Sequence, residues 1–199
     1  MIKAIIFDFG GVFSNYGSFA PFVKFYASKF DKDIDEFYEV IRKHYRDARV
    51  NKISGNQFWK EVAKYLGNEP EQVQKDCMKF FGFNEKVREL AVKLKKHYKL
   101  GILSNHVENW FDLELKKHKL YDLIDEVVVS YEEKMVKPEE EFYLLIVNRL
   151  NVKPNECVFI DDQYRNLVSA DKLGIKVVHF RDIEQVKEDL KKLNVNLND

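Results

Sequence analysis

Cysteine and long apolar runs are scarce in this sequence. The two cysteines, Cys77 and Cys157, stand far apart and in no CxxC or CxxH pattern, so the sequence supports neither a zinc site nor a disulfide framework. Cys157 lies in an apolar run and is interpreted as a small core residue. The first apolar run, residues 4–7, ends at Asp8 and is too short for a membrane span or a signal-peptide core. We therefore expect a cytoplasmic protein with no membrane partner.

The overall composition lacks an excess of either charge. Lys plus Arg and Asp plus Glu both count 33, which gives a formal net charge of +0. Such a chain has no global attraction to polyanions, so we expect no nucleic-acid partner. Hydrophobic residues make up 45% and aromatic residues 14% of the 199 residues, enough for a full core. The length fits one large domain, or one domain with an insert.

Five short apolar segments are typical of β-strands. They are Lys3–Asp8, Leu100–Ser104, Val127–Ser130, Cys157–Asp161 and Lys176–Phe180. Continuous apolar runs of this kind are typical of a parallel sheet that is buried on both faces. Helical periodicity follows the later strands and closes the chain, at Glu85–His97, Glu108–Lys119, Glu139–Leu150, Asn166–Leu173 and Ile183–Leu193. This alternation predicts a doubly wound α/β domain with a parallel sheet.

The first strand is separated from the second by about 90 residues that contain no clear strand. Four helices are predicted there, at Phe19–Phe30, Ile34–Tyr45, Gly55–Leu66 and Gln72–Phe80. We therefore predict an α/β core domain of residues 1–15 and 83–199, with a helical cap domain inserted at residues 16–82. The last residues, Asn194–Asp199, are expected to fray.

Polar residues follow the predicted strands at the points where the strands end. In open parallel sheets ligands bind beyond these carboxyl ends, so these residues are candidates for one site. They are, in chain order, Asp8, Gly10, Gly11, Ser104, Asn105, Lys137, Asp161 and Asp162.

The charges of this group predict a metal ion. Asp8, Asp161 and Asp162 bring three negative charges, and Lys137 brings one positive charge. A bound phosphate adds about two more negative charges, and like charges repel strongly in a partly dry site. A carboxylate must then take up a proton, or a divalent cation must bind. Oxygen ligands together with a phosphate favour Mg²⁺.

Four motifs resemble those of the haloacid dehalogenase-like hydrolase superfamily in order and in strand context. They are Ile5–Val12, Ser104–Asn105, Lys137–Pro138 and Phe159–Asp162. The resemblance covers the whole chain, and the insert after the first strand looks like that family's helical cap. The Asp-x-Gly-x-Val pattern with Ser-Asn is similar to a branch that includes glucose-1-phosphatase-like enzymes.

This resemblance implies a phosphoric monoester hydrolase that acts on a small phosphorylated metabolite, for which a sugar phosphate is one candidate. Asp8 would attack phosphorus and form an aspartyl-phosphate, which water then hydrolyses. Mg²⁺ would be held by the carboxylate of Asp8, by the backbone carbonyl of Gly10 and by Asp162. Asp161 would be a direct or water-mediated ligand.

The resemblance also implies residues that bind substrate. Ser104, the backbone around Asn105, and Gly11 would hold the phosphate oxygens at a helix start. Lys137 would neutralise the nucleophile and the transferring phosphoryl group. Capping of the following helix is the alternative role for Ser104 and Asn105.

Two arginines each have two alternative roles relative to this site. Arg49 opens a basic run, Arg49–Lys52, which either faces an anionic substrate or forms a solvated loop; Arg49 is counted as a substrate-binding candidate. Arg165 is either a surface residue or a substrate contact.

Gly10 departs from the pattern of most phosphatases in this superfamily. They carry a second aspartate at this position, which protonates the leaving oxygen, and such acid–base help contributes a factor of about 10²–10⁴. Three explanations remain open. The substrate has a good leaving group, another side chain such as His106, Tyr16 or Asp161 serves, or the protein is a slow enzyme or a phosphate-binding module.

Two other classes of protein share parts of this pattern. A metal-independent 2-haloacid dehalogenase also lacks the second aspartate, but an Asp161–Asp162 pair without a cation would be costly there. A response-regulator receiver domain has its acidic pair after the first strand rather than the fourth, and it has no helical insert. The sequence leaves the oligomeric state and the motion of the cap undetermined.

Overall fold

A five-stranded parallel sheet forms the centre of the protein, in a computed structural model that describes residues 1–198. The strands are Ala4–Phe7 (β1), Lys99–Ser104 (β2), Glu126–Val129 (β3), Cys157–Asp161 (β4) and Lys176–His179 (β5). They lie in the order β3-β2-β1-β4-β5, and every neighbouring pair is parallel. The predicted doubly wound α/β fold is confirmed, and the predicted strands differ from the observed ones by one residue at most at either end.

Helices connect the strands and fill the insert. Within residues 1–198 they are Ala20–Lys29 (α1), Ile34–Ala48 (α2), Gly55–Leu66 (α3), Pro70–Phe81 (α4), Glu85–Lys95 (α5), Trp110–Lys117 (α6), Ser130–Glu133 (α7), Glu140–Arg149 (α8), Tyr164–Lys172 (α9) and Ile183–Lys192 (α10). All nine predicted helices are present. The short helix α7 is an addition that periodicity over four residues is too brief to reveal.

The sheet is buried on both faces, as its apolar strands require. Along β1, Ile5 and Phe7 join one apolar cluster, which includes residues of α5, α6 and α10. The alternate residues Ala4 and Ile6 join a second cluster with residues of α8 and α9. This alternation follows from the two-residue period of a strand, and it places β1 at the centre of a three-layer core.

Helices α1–α4 pack around a third, aromatic-rich cluster. Phe22, Phe37, Phe58 and Trp59 are almost completely buried in it, and Trp110 from the segment after β2 joins them. The insert helices therefore rest directly on the segment that follows β2. The division into domains at residues 15/16 and 82/83 stays a prediction.

The end of the described chain is packed rather than frayed. Val195 is buried, the backbone N–H of Asn196 donates to the hydroxyl of Tyr98 at 2.7 Å, and a ring nitrogen of His97 lies 3.1 Å from the carbonyl of Asn198. The expectation of fraying is wrong for residues 194–198, because the apolar Val195 anchors them. The remaining residue of that prediction, Asp199, lies outside the described residues.

The two cysteines do not pair with each other. Cys77 and Cys157 are both buried, free thiols, in agreement with the absence of a disulfide framework. Among the described residues, no helix combines the length and the apolar character that a membrane crossing requires.

Candidate active site

A cavity of about 620 Å³ lies between the carboxyl edge of the sheet and the insert helices. Its volume is in the range of small-molecule sites. The sheet side contributes Asp8 after β1, Asn105 after β2, Lys137 after α7, and Asp162 after β4. The motif residues meet here because parallel strands all end at the same edge of the sheet.

Lys137 bridges two buried carboxylates. Its Nζ lies 2.8 Å from Oδ1 of Asp8 and 2.7 Å from Oδ2 of Asp161. Asp161 also accepts hydrogen bonds from the side chain of Asn166 at 3.0 and 3.1 Å and from the backbone N–H of Gln163 at 2.7 Å. Asp161 is therefore held by protein donors and does not line the cavity, whereas Asp8 and Lys137 do.

Three carboxylates form an acidic cluster at the base of the cavity. Asp8, Asp161 and Asp162 each offer an oxygen atom within 4.8 Å of the others. Oδ1 of Asp162 is buried and has no hydrogen-bond partner among the described residues. Because a buried carboxylate oxygen without a donor is costly, this arrangement fits a divalent cation with oxygen ligands.

The pKa values of the cluster also indicate that it requires additional positive charge. Burial raises the pKa of Asp8 to about 8, with Lys137 opposing the rise and Asp161 adding to it. Burial and the charge of Asp161 raise the pKa of Asp162 to about 6. Burial alone would lower the pKa of Lys137, but the neighbouring carboxylates outweigh it and raise that pKa. One lysine thus leaves the cluster short of positive charge.

Glycine residues pack against the carboxylate of Asp162. Gly11 has φ +71°, in the left-handed region that favours glycine, and a Cβ at Gly11 or at Gly17 would collide with the Asp162 side chain. Gly10 lines the cavity but Gly11 does not. Gly11 therefore lies behind a predicted metal ligand, and its predicted contact with substrate stays untested.

The segment after β2 holds Lys137 in place. The side chain of Asn105 accepts a hydrogen bond from the backbone N–H of Lys137 at 2.9 Å and donates one to its carbonyl at 3.1 Å. Ser104 is buried, its Oγ has no partner among the described residues, and it does not line the cavity. The structure thus assigns Asn105 a clamp on the lysine, and the substrate contact of Ser104 stays a prediction.

His106 and Tyr16 both line the cavity. The Nδ1 atom of His106 lies 3.0 Å from the backbone nitrogen and 3.3 Å from the backbone carbonyl oxygen of Val107, and its ring packs edge-on to Phe9 and Trp110. Burial lowers the pKa of His106 to about 4. The ring is therefore neutral at pH 7, and one of its two nitrogen atoms carries the proton.

Helix α2 supplies a basic wall opposite the acidic cluster. Arg42 and Arg46 line the cavity, and so does Arg49, which caps the end of α2 rather than lying in a loop. Arg165, in the first turn of α9, lines it from the sheet side. The i, i+4, i+7 spacing of the three arginines on α2 was the signal that could have identified Arg42 and Arg46 from sequence.

The hydroxyl of Tyr45 links this wall to the motif residues. It donates a hydrogen bond to the carbonyl of Asn105 at 2.7 Å. Tyr38 lies nearer the start of the same helix and also lines the cavity. The end of α2 that carries Tyr45 and Arg49 is therefore close to the catalytic edge, and its beginning is further away.

The fold and the site together define a hydrolase class in which a buried aspartate, a lysine and an acidic pair meet at the end of a parallel sheet. The family model described as haloacid dehalogenase-like hydrolase matches residues 5–180. The protein belongs to the haloacid dehalogenase-like hydrolase family.

Individual relatives agree with this assignment. D-ribitol-5-phosphate phosphatase of Bacteroides thetaiotaomicron is 26% identical over 188 residues, which cover 88% of this chain and 90% of the relative. A structure described as a predicted HAD-like family hydrolase of Porphyromonas gingivalis has TM-score 0.80 at 24% identity, over 98% of this chain and 99% of that chain.

A further solved structure is that of a Bacteroides thetaiotaomicron enzyme of the same family, in complex with magnesium and inorganic phosphate. It has TM-score 0.76 at 23% identity, over 91% of this chain and 95% of that chain. The predicted enzyme class, a phosphoric monoester hydrolase, is confirmed at the level of the family and of its phosphatase relatives.

Proposed function

We propose that the protein is a magnesium-dependent phosphatase that hydrolyses a small phosphorylated metabolite of the sugar-phosphate type through an aspartyl-phosphate on Asp8. The observation that carries the proposal is the Lys137 bridge between Asp8 and Asp161, which lies next to Asp162 with its unpartnered oxygen. The phosphatase relative and the magnesium and phosphate in a structural neighbour support the same assignment.

Asp8, Asp162 and the backbone carbonyl of Gly10 are the residues we propose to hold Mg²⁺. Asp161, the fourth ligand implied by the motifs, is already occupied by Lys137 and Asn166, so we assign it to positioning the lysine or to a water-mediated contact. When bound, the cation supplies positive charge to the nucleophile and to the phosphoryl oxygens.

The side chains divide the chemistry between them. An oxygen of Asp8 forms a bond to phosphorus while the bond from phosphorus to the leaving oxygen breaks, and Lys137 stabilises the charge on the transferring group. Water then attacks the phosphorus of the aspartyl-phosphate, which releases phosphate and regenerates Asp8. Asn105 keeps Lys137 at the nucleophile through its two hydrogen bonds.

Protonation of the leaving oxygen is the step that lacks a carboxylic acid, because position 10 is glycine. His106 is neutral and offers at most one ring N–H as a donor. Substrates with a weakly basic leaving oxygen, such as sugar 1-phosphates, need the least help and are therefore the favoured class.

The test is release of inorganic phosphate from a panel of phosphorylated metabolites, with Mg²⁺ and with a chelator. We expect turnover only with Mg²⁺, and we expect Asp8→Asn to reduce kcat at least about 10³-fold because the nucleophile is lost. The matched control is Asp171→Asn, an exposed aspartate on α9. Equal turnover by Asp8→Asn and the control would contradict the proposal.

A non-catalytic phosphate-binding module is the second candidate, and Gly10 is the feature that favours it. It predicts tight binding of phosphorylated metabolites without hydrolysis. A metal-independent 2-haloacid dehalogenase remains an outcome of the same screen, detected as halide release in the presence of chelator. The acidic cluster disfavours it, since three carboxylates without a cation are costly.

The helical insert at residues 16–82 is proposed to be the cap that selects the substrate. Its helix α2 forms one wall of the cavity, while the motif residues form the opposite side. The insert position after β1 is the reason for assigning the protein to the branch with this type of cap.

A further inference from the structure

The walls of the cavity differ in charge. On the sheet side, Asp8, Asp161 and Asp162 cluster around Lys137 at the base of the cavity, and Arg165 lies further out on the same side. On the side of the insert, within the described residues, the lining contains three arginines and no aspartate or glutamate. The transferred phosphate belongs at the acidic side with the cation, so the arginines on the opposite wall need another explanation.

The basic wall is too long to serve one phosphate. Arg42, Arg46 and Arg49 lie along one side of α2 and its C-cap, and the seven residue steps from the first to the last correspond to about 10 Å at 1.5 Å per residue. Tyr45 fixes the near end of this stretch at the motif segment through Asn105. The positive charge therefore extends from the catalytic edge towards the far end of the cavity.

Arg42 and Arg46 have carboxylate partners, whereas Arg49 and Arg165, which also line the cavity, have none among the described residues. The guanidinium of Arg42 is held by Glu39 at 2.7–3.1 Å, and Arg46 lies 3.9 Å from Asp47. Within residues 1–198, Arg49 has no carboxylate partner, and its Nε is buried without any hydrogen-bond partner. A buried guanidinium N–H without an acceptor is costly unless a ligand provides one.

Arg165 faces the same region from α9. Its Nε donates to the side chain of Gln163 at 3.1 Å, and no carboxylate among the described residues pairs with it. The side chains of Arg49 and Arg165 both line the cavity. The two unpaired guanidinium groups therefore flank one cavity, Arg49 on the insert side and Arg165 on the sheet side.

We infer that the substrate carries a second anionic group, a phosphate or a carboxylate, which Arg49 and Arg165 bind in addition to the phosphate that is transferred. This inference rests on the proposed phosphatase function and narrows its substrate class. Guanidinium groups are donors only and match the geometry of phosphate and carboxylate.

The experiment compares three substrates that share the same leaving oxygen. They are glucose 1-phosphate, glucuronate 1-phosphate and glucose 1,6-bisphosphate, and the last two separate a carboxylate from a phosphate as the second anion. We expect kcat/KM to be at least about tenfold higher for one or both anionic substrates, since each charge-assisted hydrogen bond gives about a factor of ten or more. Higher salt reduces this preference.

The variants Arg49→Gln and Arg165→Gln test which residues are responsible. Each is expected to lower the ratio of kcat/KM between anionic and neutral substrate by about tenfold. The control Arg181→Gln removes one positive charge outside the cavity lining and leaves the ratio unchanged. If Arg49→Gln fails to fold, the exposed Arg165 provides the same test.

Two results would overturn the inference. One is a preference for glucose 1-phosphate, or none at all, in the wild type. The other is an equal loss on all three substrates in the arginine variants, which would assign the arginines to the transferred phosphate. Dissociation constants of the three compounds with Asp8→Asn provide a readout without turnover. If the wild type releases no phosphate while Asp8→Asn binds the anionic compounds more tightly than glucose 1-phosphate, the phosphatase function is rejected and the second anion site is retained.

Discussion

Gly10 has room for a larger side chain, which is unusual for a glycine beside a crowded site. A Cβ at this position meets only the Cα of Gly17 at 3.6 Å and the carbonyl of Tyr16 at 4.0 Å, both ordinary contacts, and its φ lies outside the left-handed region. Neither sterics nor backbone conformation therefore requires glycine here. The residue at position 10 is better explained by what the substrate needs.

We predict that Gly10→Asp adds a general acid to the site. For phosphate esters with a strongly basic leaving oxygen, such as sugar alcohol phosphates, kcat should rise by up to about 10²-fold, the lower end of acid–base contributions. For p-nitrophenyl phosphate, whose leaving group needs no proton, kcat should change little. Steady-state rates across a leaving-group series measure the difference.

Gly10→Asn is the matched control, since it has the same shape but no acidic proton. An equal gain with asparagine would mean that the effect is one of packing. A loss on every substrate with aspartate would mean that the extra carboxylate disturbs the acidic cluster.

At the scale of residues, the sequence predicts those side chains whose position depends on strand ends. Asp8 and Asp162 lie together because they follow β1 and β4 at one edge of the parallel sheet, and the segment after α7 brings Lys137 to the same edge. Arg42 and Arg46 were not predicted, since their place depends on how a helix of the insert packs over that edge. Such packing leaves no local signal beyond the spacing of the arginines.

At the scale of elements, helix ends were predicted less well than helix positions. Helix α2 continues past the predicted Tyr45 to Ala48, which is buried in the aromatic-rich cluster. Helix α4 begins at Pro70, a residue that suits a first helical turn, rather than at Gln72. In α2, burial of Ala48 extends the helix, and Arg49 is therefore a helix cap that faces the cavity.

The start of helix α3 is pressed against the segment that follows β2. A Cβ at Gly55 would collide with the carbonyl oxygen of Glu108 and lie 3.2 Å from Cγ1 of Val107. The side chain of Asn109 also donates to Asn56 at 3.0 Å. This contact sets the distance between the insert and the segment that carries Asn105.

We predict that Gly55→Ala moves α3 away from that segment. Overpacking against backbone costs about 1–3 kcal/mol, which lowers Tm by roughly 2–10 °C for a chain of this size, and kcat/KM should fall because the basic wall shifts. Thermal unfolding and phosphatase assays measure both effects. Asn56→Ala, which removes the nearby hydrogen bond without adding volume, should be milder; if it matches Gly55→Ala, the steric explanation is wrong.

At the scale of the whole molecule, the pattern of apolar runs predicts the fold because each continuous apolar run forms one strand. Buried strands read as continuous apolar segments, and the absence of strands over residues 16–82 marks the insert. The order β3-β2-β1-β4-β5 determines which strand ends are neighbours. The charge of the cavity, in contrast, depends on side chains from two separate chain segments. It can therefore be recognised only in the folded structure.

The acidic cluster makes the stability of the whole molecule depend on pH and on the cation. Asp8 and Asp162 have folded-state pKa values of about 8 and about 6, above their ordinary value of 3.8. The folded protein without metal therefore binds more protons than the unfolded chain between about pH 4 and 8. Its stability must fall as the pH rises through this window.

We predict that metal-free protein has a lower Tm at pH 8 than at pH 5.5, and that Mg²⁺ reverses the loss at pH 8. At 100 times its dissociation constant the ion adds about 2.7 kcal/mol, or roughly 5–10 °C. Asp162→Asn removes one of the repelling charges together with a ligand, so it should raise the metal-free Tm at pH 8 and abolish the response to Mg²⁺. Asp171→Asn should leave both unchanged. A Tm that rises with Mg²⁺ as strongly in Asp162→Asn as in the wild type would place the ion elsewhere.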